Sequence, residues 1–339
     1  DYKLPQLLLR EESFLCDDLD ISHLAGQYPS RDYGRDGDKI FNEARVWNIL
    51  SQNGLIRDLA NSFLVFAFPG DGNIKDITDP WLVKAFSGRR QKRYLIETKF
   101  YKEQDEIVVE KKACYPLASE KKSGEPETVI HHLGKMEYVQ GVPYGYTLLD
   151  QVSKENSLAQ FVTYLTPWVE WLRANALSQS VSEGGEKLLV PGKLYDCMPA
   201  NFLINKQKEL CIIDQEWEYK APLELGFVFF RGIYREVSAN FEYFEQTDIF
   251  KNRTILDILD HIYTVFELPF NQELFNDYLD HEVTFQLEVG TYGVGRKGLI
   301  EKLHTFFYGT RTLKSGVAEL LISGGIGRHT LLVEQEKVL

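Results

Sequence analysis

A chain of 339 residues that is 44% hydrophobic and 13% aromatic can bury a large core, and at ~100–200 residues per domain it predicts two domains, or two lobes with an extension. A formal net charge of -12 repels phosphate backbones, so nucleic acid is not an expected partner. Cys16, Cys114, Cys197 and Cys211 are widely spaced with no Cys-x-x-Cys pair, which argues against a structural zinc or a disulfide framework and fits a reducing, cytoplasmic compartment.

The chain opens on Asp1-Tyr2-Lys3-Leu4-Pro5 without methionine or a leader-like stretch, and reads as a piece of something longer. No run of about 18 apolar residues occurs, so no transmembrane segment is expected. Ile40, Phe41, Ala44, Val46, Trp47 and Leu50 recur at near-helical spacing and predict an amphipathic helix over Asp38–Gln52. Ser62–Phe68 reads as a short buried strand, stopped by Pro69-Gly70-Asp71-Gly72. The cluster Gly88–Arg93 reads as a solvated basic turn.

Tyr94–Phe100 and Glu106–Lys112 are β-rich and flank the charged turn Lys102–Asp105, which predicts a hairpin. His131-His132 is the one close histidine pair, and adjacent side chains diverge, so it does not predict a metal site. A third strand runs through Lys135–Val139 and ends at Gly141 and Pro143. A helix follows around Ser157–Ala176, with Phe161, Leu165, Trp168, Val169 and Leu172 on one stripe. Asn201–Asn205 and Glu209–Asp214, separated by Lys206-Gln207-Lys208, predict a second hairpin. From about Phe227 the text is helical, over Phe227–Phe241, Arg253–Phe266, Asn271–Leu287 and Gly298–Phe307. Strand-rich text before helix-rich text predicts a two-lobed α+β protein.

The chemistry-bearing stretch is Tyr195-Asp196-Cys197-Met198-Pro199-Ala200-Asn201, then Ile213-Asp214-Gln215-Glu216. The hairpin between Asn201 and Asp214 can turn both toward one point. An amide oxygen and a carboxylate suit magnesium, which keeps waters and takes further oxygens from phosphates. Asp196, a separate carboxylate, can orient a hydroxyl and accept its proton. These are the parts of phosphoryl transfer.

The segment resembles the catalytic loop of the aminoglycoside phosphotransferase and choline kinase group, a branch of the protein-kinase-like fold. That group reads His-Gly-Asp-x-x-Pro-x-Asn, followed by a strand ending in Ile-Asp-Trp-Glu or similar. Asp196, Pro199, Asn201 and Asp214 fall in register, whereas Leu194 and Tyr195 stand where the group has His and Gly. The resemblance implies a two-lobed kinase-like fold, a catalytic Asp196, magnesium on Asn201 and Asp214, and ATP as cofactor, with GTP equally compatible. It implies an N-terminal extension over 1–90, a small lobe over 91–141 and a large lobe over 142–339.

It also demands a small-lobe lysine for the α- and β-phosphates. Ile107-Val108-Val109-Glu110-Lys111 fits this pattern, with Lys112 as the alternative on the opposite strand face. Met136–Gly141 resembles the hinge, where the backbone groups of Glu137 and Val139 would bind the adenine edge. Glu120, Glu125 and Glu127 lie where the partner of the lysine is sought, with no choice among them. The turn after Lys102 has no glycine and is acidic, so it must bend away from any phosphate.

Gly290–Lys297 mimics a P-loop but lacks both Ser/Thr after the lysine and a leading strand, and Ser323–Gly327 lacks an acidic ribose partner; both are read as loops. Asp1–Pro5 and Ala60–Val65 look like text behind bacterial methyltransferase domains of surface-polysaccharide enzymes. That likeness implies a fused methyltransferase before residue 1, a glycan hydroxyl as acceptor, and a place at the inner face of the membrane. An inactive kinase-like scaffold is the alternative.

Overall fold

A computed structural model of the chain describes residues 6–28, 43–60, 63, 80–88, 90–115, 127–155, 157–182, 185–244, 247–250, 253–291 and 293–308. β1 (Leu7–Leu9), α1 (Ile21–Gln27) and α2 (Glu43–Gln52) precede β2 (Val83–Phe86), β3 (Ile96–Glu103), β4 (Glu106–Ala113), β5 (Val129–His131) and β6 (Gly134–Glu137). Then come β7 (Val142–Pro143), α3 (Tyr144–Glu155), α4 (Leu158–Ala174), β8 (Ser178–Ser182) and β9 (Gly185–Val190). Short strands β10 (Phe202–Ile204), β11 (Leu210–Ile212), β12 (Trp217–Tyr219) and β13 (Leu223–Glu224) lead into helices α5 (Leu225–Ala239), α6 (Phe241–Phe244), α7 (Ile255–Val265), α8 (Gln272–Val289) and α9 (Arg296–Tyr308). The architecture is α+β, a sheet-rich region followed by a helical one. No described helix is long and apolar enough to cross a membrane.

β1, β2, β3, β4 and β6 form one antiparallel sheet in that order. The expected hairpin is β3–β4, closed by a tight turn in which Gln104 takes a positive φ of 60°. The acidic turn is tied sideways, because Lys135 on β6 holds the Glu103 carboxylate at 3.0 Å. Two strands of this sheet, β1 and β2, come from the segment expected as an N-terminal extension. Val83, Phe100, Ile107 and Val109 pack against Leu19, Ile21 and Leu24 as a core of their own.

The helical region is built on the apolar stripe expected for α4 and on side-chain caps that the structure adds. The Ser157 hydroxyl accepts from the Gln160 N–H at the start of α4, and Phe161, Leu165, Trp168, Val169 and Leu172 are buried along it. Thr254 and Asp257 cap α7 reciprocally, and Asn271 caps α8. α3 begins directly after Pro143, where the sequence suggests only a turn. Of Gly290–Lys297, expected as a loop, the described residues up to Gly295 connect α8 to α9, whereas Arg296 and Lys297 open α9; no described strand leads into it. The strand expected at Ser62–Phe68 lies, but for Phe63, outside the described residues, as do Glu120, Glu125 and Ser323–Gly327.

Several ties join the regions. β5 pairs antiparallel with β12, His131 opposite Trp217. The Gln91 N–H donates to the Val289 C=O at 2.7 Å at the end of α8, and the Thr128 N–H donates to Glu288 at 3.0 Å. Arg90 departs from the solvated turn expected for it. Its side chain is 20% exposed and crosses to Glu216, while its guanidinium lies 5.3 Å from the Trp217 ring centroid.

Candidate functional site

The hairpin β10–β11 sets Phe202 opposite Ile212, and the next bond outward runs from the Ile213 N–H to the Asn201 C=O at 2.8 Å. Asn201 and Asp214 therefore flank the open end of one ladder. Asp214 turns out of it in the left-handed region, with φ 56°, a conformation that aspartate tolerates better than most side chains. The Asn201 Nδ2 donates to the Asp196 C=O at 2.8 Å, which leaves the amide oxygen outside that bond.

The loop carrying Asp196 is braced from three sides. At Gly192 a Cβ would stand 1.8 Å from the Tyr219 carbonyl oxygen, so only glycine allows the approach. The buried Trp168 Nε1 donates to the Cys197 C=O at 2.9 Å. Arg231 on α5 donates through Nη2 to Asp196 Oδ1 at 3.2 Å and through Nε to the Tyr195 C=O at 3.3 Å. Arg231 is anchored in turn by Glu282 at 2.5 Å and lies 4.1 Å from the Tyr195 ring centroid. Directly before Asp196 the loop carries a buried tyrosine, Tyr195, under the buried Arg231.

Burial pushes the Asp196 carboxyl up to about 6, with the Arg231 charge opposing. Such a carboxylate is a stronger base than an exposed aspartate and still ionises near neutral pH. Arg231 is held protonated although burial opposes it, chiefly by the charge of Glu282.

Lys111 on β4 reaches across 103 residues to Asp214, in a direct ion pair, and lies 3.3 Å from Glu216. It is 4% exposed, whereas Lys112 points outward and pairs with Glu110 at 3.0 Å. Of the two lysines left open by the sequence, the strand's alternation delivers Lys111 to the loop residues. Against burial, the Asp214 and Glu216 charges hold Lys111 above the usual lysine range.

Glu216 was not singled out by sequence reasoning, and it is the most connected carboxylate at the site. It lies at 3% side-chain exposure and accepts from Arg90, from Lys111 and, at 2.6 Å, from His131 Nε2. His131 stacks on Trp217 with ring centroids 4.3 Å apart. Burial would raise the Glu216 carboxyl, but the Arg90 charge, the His131 bond and the Lys111 charge hold it below the usual carboxylate range. Of the glutamates that sequence placed opposite the lysine, Glu127 instead bonds Lys220 at 3.1 Å and faces Arg93 at 3.9 Å. Burial and then the Asp214 charge push the Tyr28 phenol, at the end of α1, up to about 12.

Glu137 ends β6, the last strand of the sheet among the described residues, and Val139 follows it. The Tyr138 N–H donates to the Ile107 C=O at 3.3 Å, which makes 107 and 138 a bonded pair. In an antiparallel ladder the alternate positions then turn their backbone groups away from the neighbour. Glu137 and Val139 are those positions, so their N–H and C=O groups face outward from β4. Lys111, Asp196, Asn201 and Asp214 are thus linked through direct bonds and adjacent backbone, while Glu137 and Val139 stand apart from them along the sheet edge. No three or more His, Cys, Asp or Glu side chains among the described residues cluster as a metal site. Asn201 and Asp214 bring an amide oxygen and a carboxylate to the same end of the hairpin, donor types that hard cations accept. Comparison with family models, with curated proteins and with solved structures finds no match.

Proposed function

We propose that this chain is a magnesium-dependent phosphotransferase on a protein-kinase-like fold, moving the terminal phosphate of ATP to a hydroxyl of a small molecule or glycan. The observation that carries the reading is the convergence of Lys111 with Asp214, of Asp214 with Asn201 across one hairpin, and of Asn201 with Asp196. Lys111, 103 residues from Asp214, joins three groups of one short segment in the combination that phosphoryl transfer uses. The outward backbone groups at Glu137 and Val139 suit the edge of a purine base. The glycan acceptor rests on the resemblance of the N-terminal text alone.

In this reading Asn201 and Asp214 would hold the magnesium, which neutralises phosphate charge when bound. Lys111 binds the phosphates of the nucleotide. Asp196, fixed by Arg231, orients the acceptor hydroxyl and takes its proton as the oxygen forms a bond to the terminal phosphorus. The bond from that phosphorus to the bridging oxygen breaks, and nucleoside diphosphate leaves with the electron pair.

A second reading, a kinase-like module that holds nucleotide without transferring phosphate, draws on the Lys111–Asp214 ion pair, which satisfies both groups internally. Asp196→Asn separates the two. Transfer to a panel of glycan ends, free sugars and amino alcohols should fall by ~10²–10⁴-fold, while calorimetric affinity for magnesium nucleotide stays within a few fold. Wild-type protein that binds nucleotide but matches Asp196→Asn across the panel would establish the second reading.

A further inference from the structure

We propose that Glu216 is the positioning residue for Lys111, the part that kinase-like proteins give to a glutamate on a small-lobe helix; the inference rests on the phosphotransferase reading above. Lys111 has two acidic partners of opposite character. The Asp214 side chain is 47% exposed, and the Glu216 side chain is 3% exposed. Asp214 is also the carboxylate suited to the cation, so it cannot serve as a permanent anchor for the lysine. When Asp214 turns to a cation, Lys111 retains Glu216.

Glu216 is built to stay in place. Its carboxylate is gripped by Arg90 from the β2–β3 connection and by His131 from β5. Its backbone is fixed too, since the His132 N–H donates to the Glu216 C=O at 2.8 Å and the Glu216 N–H donates to the Asp214 C=O at 2.8 Å. Two carboxylates, Asp214 and Glu216, face two cations, Arg90 and Lys111. Removal of Asp214 from that set leaves Glu216 bridging both cations. The described Glu127 is engaged elsewhere, with Lys220 and Arg93.

The test is a double-mutant cycle with Lys111→Ala, Glu216→Asp and their combination, read by calorimetry of ATP with and without magnesium, by turnover and by melting temperature. Glu216→Asp keeps the charge that Arg90 and His131 need but withdraws the carboxylate by one methylene. It should melt close to the wild type, yet lose about a hundredfold in turnover through a misplaced Lys111. Its nucleotide affinity should fall, and the double variant should bind no more weakly than Lys111→Ala alone. Glu216→Gln, which keeps the length and drops the charge, should show the same coupling. Losses that add, or a Glu216→Asp protein that binds and turns over like the wild type, would overturn the role of Glu216 alone, provided wild-type binding depends on Lys111. Nucleotide binding that is absent from the wild type, or indifferent to Lys111→Ala, would overturn the phosphotransferase reading and the role of Glu216 with it.

Discussion

Arg231 Nη2 lies 3.2 Å from Asp196 Oδ1, and Glu282 accepts from Nη1 of the same guanidinium at 2.5 Å. All three side chains are buried, with Gln286 bonding Glu282 at 2.7 Å behind them. One oxygen of Asp196 is thereby committed, which orients the other.

Arg231→Lys tests this brace. Lysine keeps the charge but cannot fork between Asp196, the Tyr195 carbonyl and Glu282. Turnover should fall by roughly 10–100-fold while magnesium-nucleotide affinity holds, since misplacing a catalytic group by about 1 Å has effects of that order. Arg231→Met should be worse in stability, by about 3–5 kcal/mol, because it strands the Glu282 charge in the interior. Steady-state kinetics together with urea melts would check both.

Lys111 and Lys112 make a paired control within one strand. Lys111→Ala should weaken nucleotide binding in calorimetry, whereas Lys112→Ala removes only an exposed contact with Glu110 and should leave affinity unchanged. Equal effects from the two variants would sink the assignment of Lys111.

Glu236 offers a pH signature of its own. It is 3% exposed on α5, bonded by Asn240 Nδ2 at 3.2 Å, and burial alone pushes its carboxyl up to about 7. A folded pKa above the unfolded value of ~4.3 means that the native state binds the proton more tightly. The stabilisation is complete below about pH 4 and is lost as pH rises through about 7. Glu236→Gln should therefore melt like the wild type near pH 4.5 and be more stable at pH 8, by on the order of 2–3 kcal/mol. A stability difference that does not change with pH between those values would contradict this.

The β3–β4 hairpin was legible because eight-residue strands alternate visibly around a polar turn, and α4, α7 and α8 because helical periodicity is local. The loop Asp196–Asn201 and its hairpin were legible by spacing and resemblance. Arg231 and Glu216 were not, since nothing near either residue in sequence signals its partners. Glu216 meets His131 across 85 positions and Arg90 across 126. β5 and β12 have three residues each, too few for a period to show. α3 was hidden because Gly141 and Pro143 mark the end of the third strand, and the helix starts at the very next residue, Tyr144.

The origin of β1 and β2 has a practical consequence. A chain begun at residue 91 would keep Lys111, Asp196, Asn201 and Asp214 but strip both strands from the sheet. β3 would then be an edge, its N–H and C=O groups facing solvent over the length now paired with Val83–Phe86. Phe100, Ile107 and Val109 would lose Val83 and the Leu19, Ile21 and Leu24 cover. A long unpaired strand beside uncovered apolar side chains is a template for strand addition between copies. Protein cut at that point would self-associate before its chemistry could be assayed.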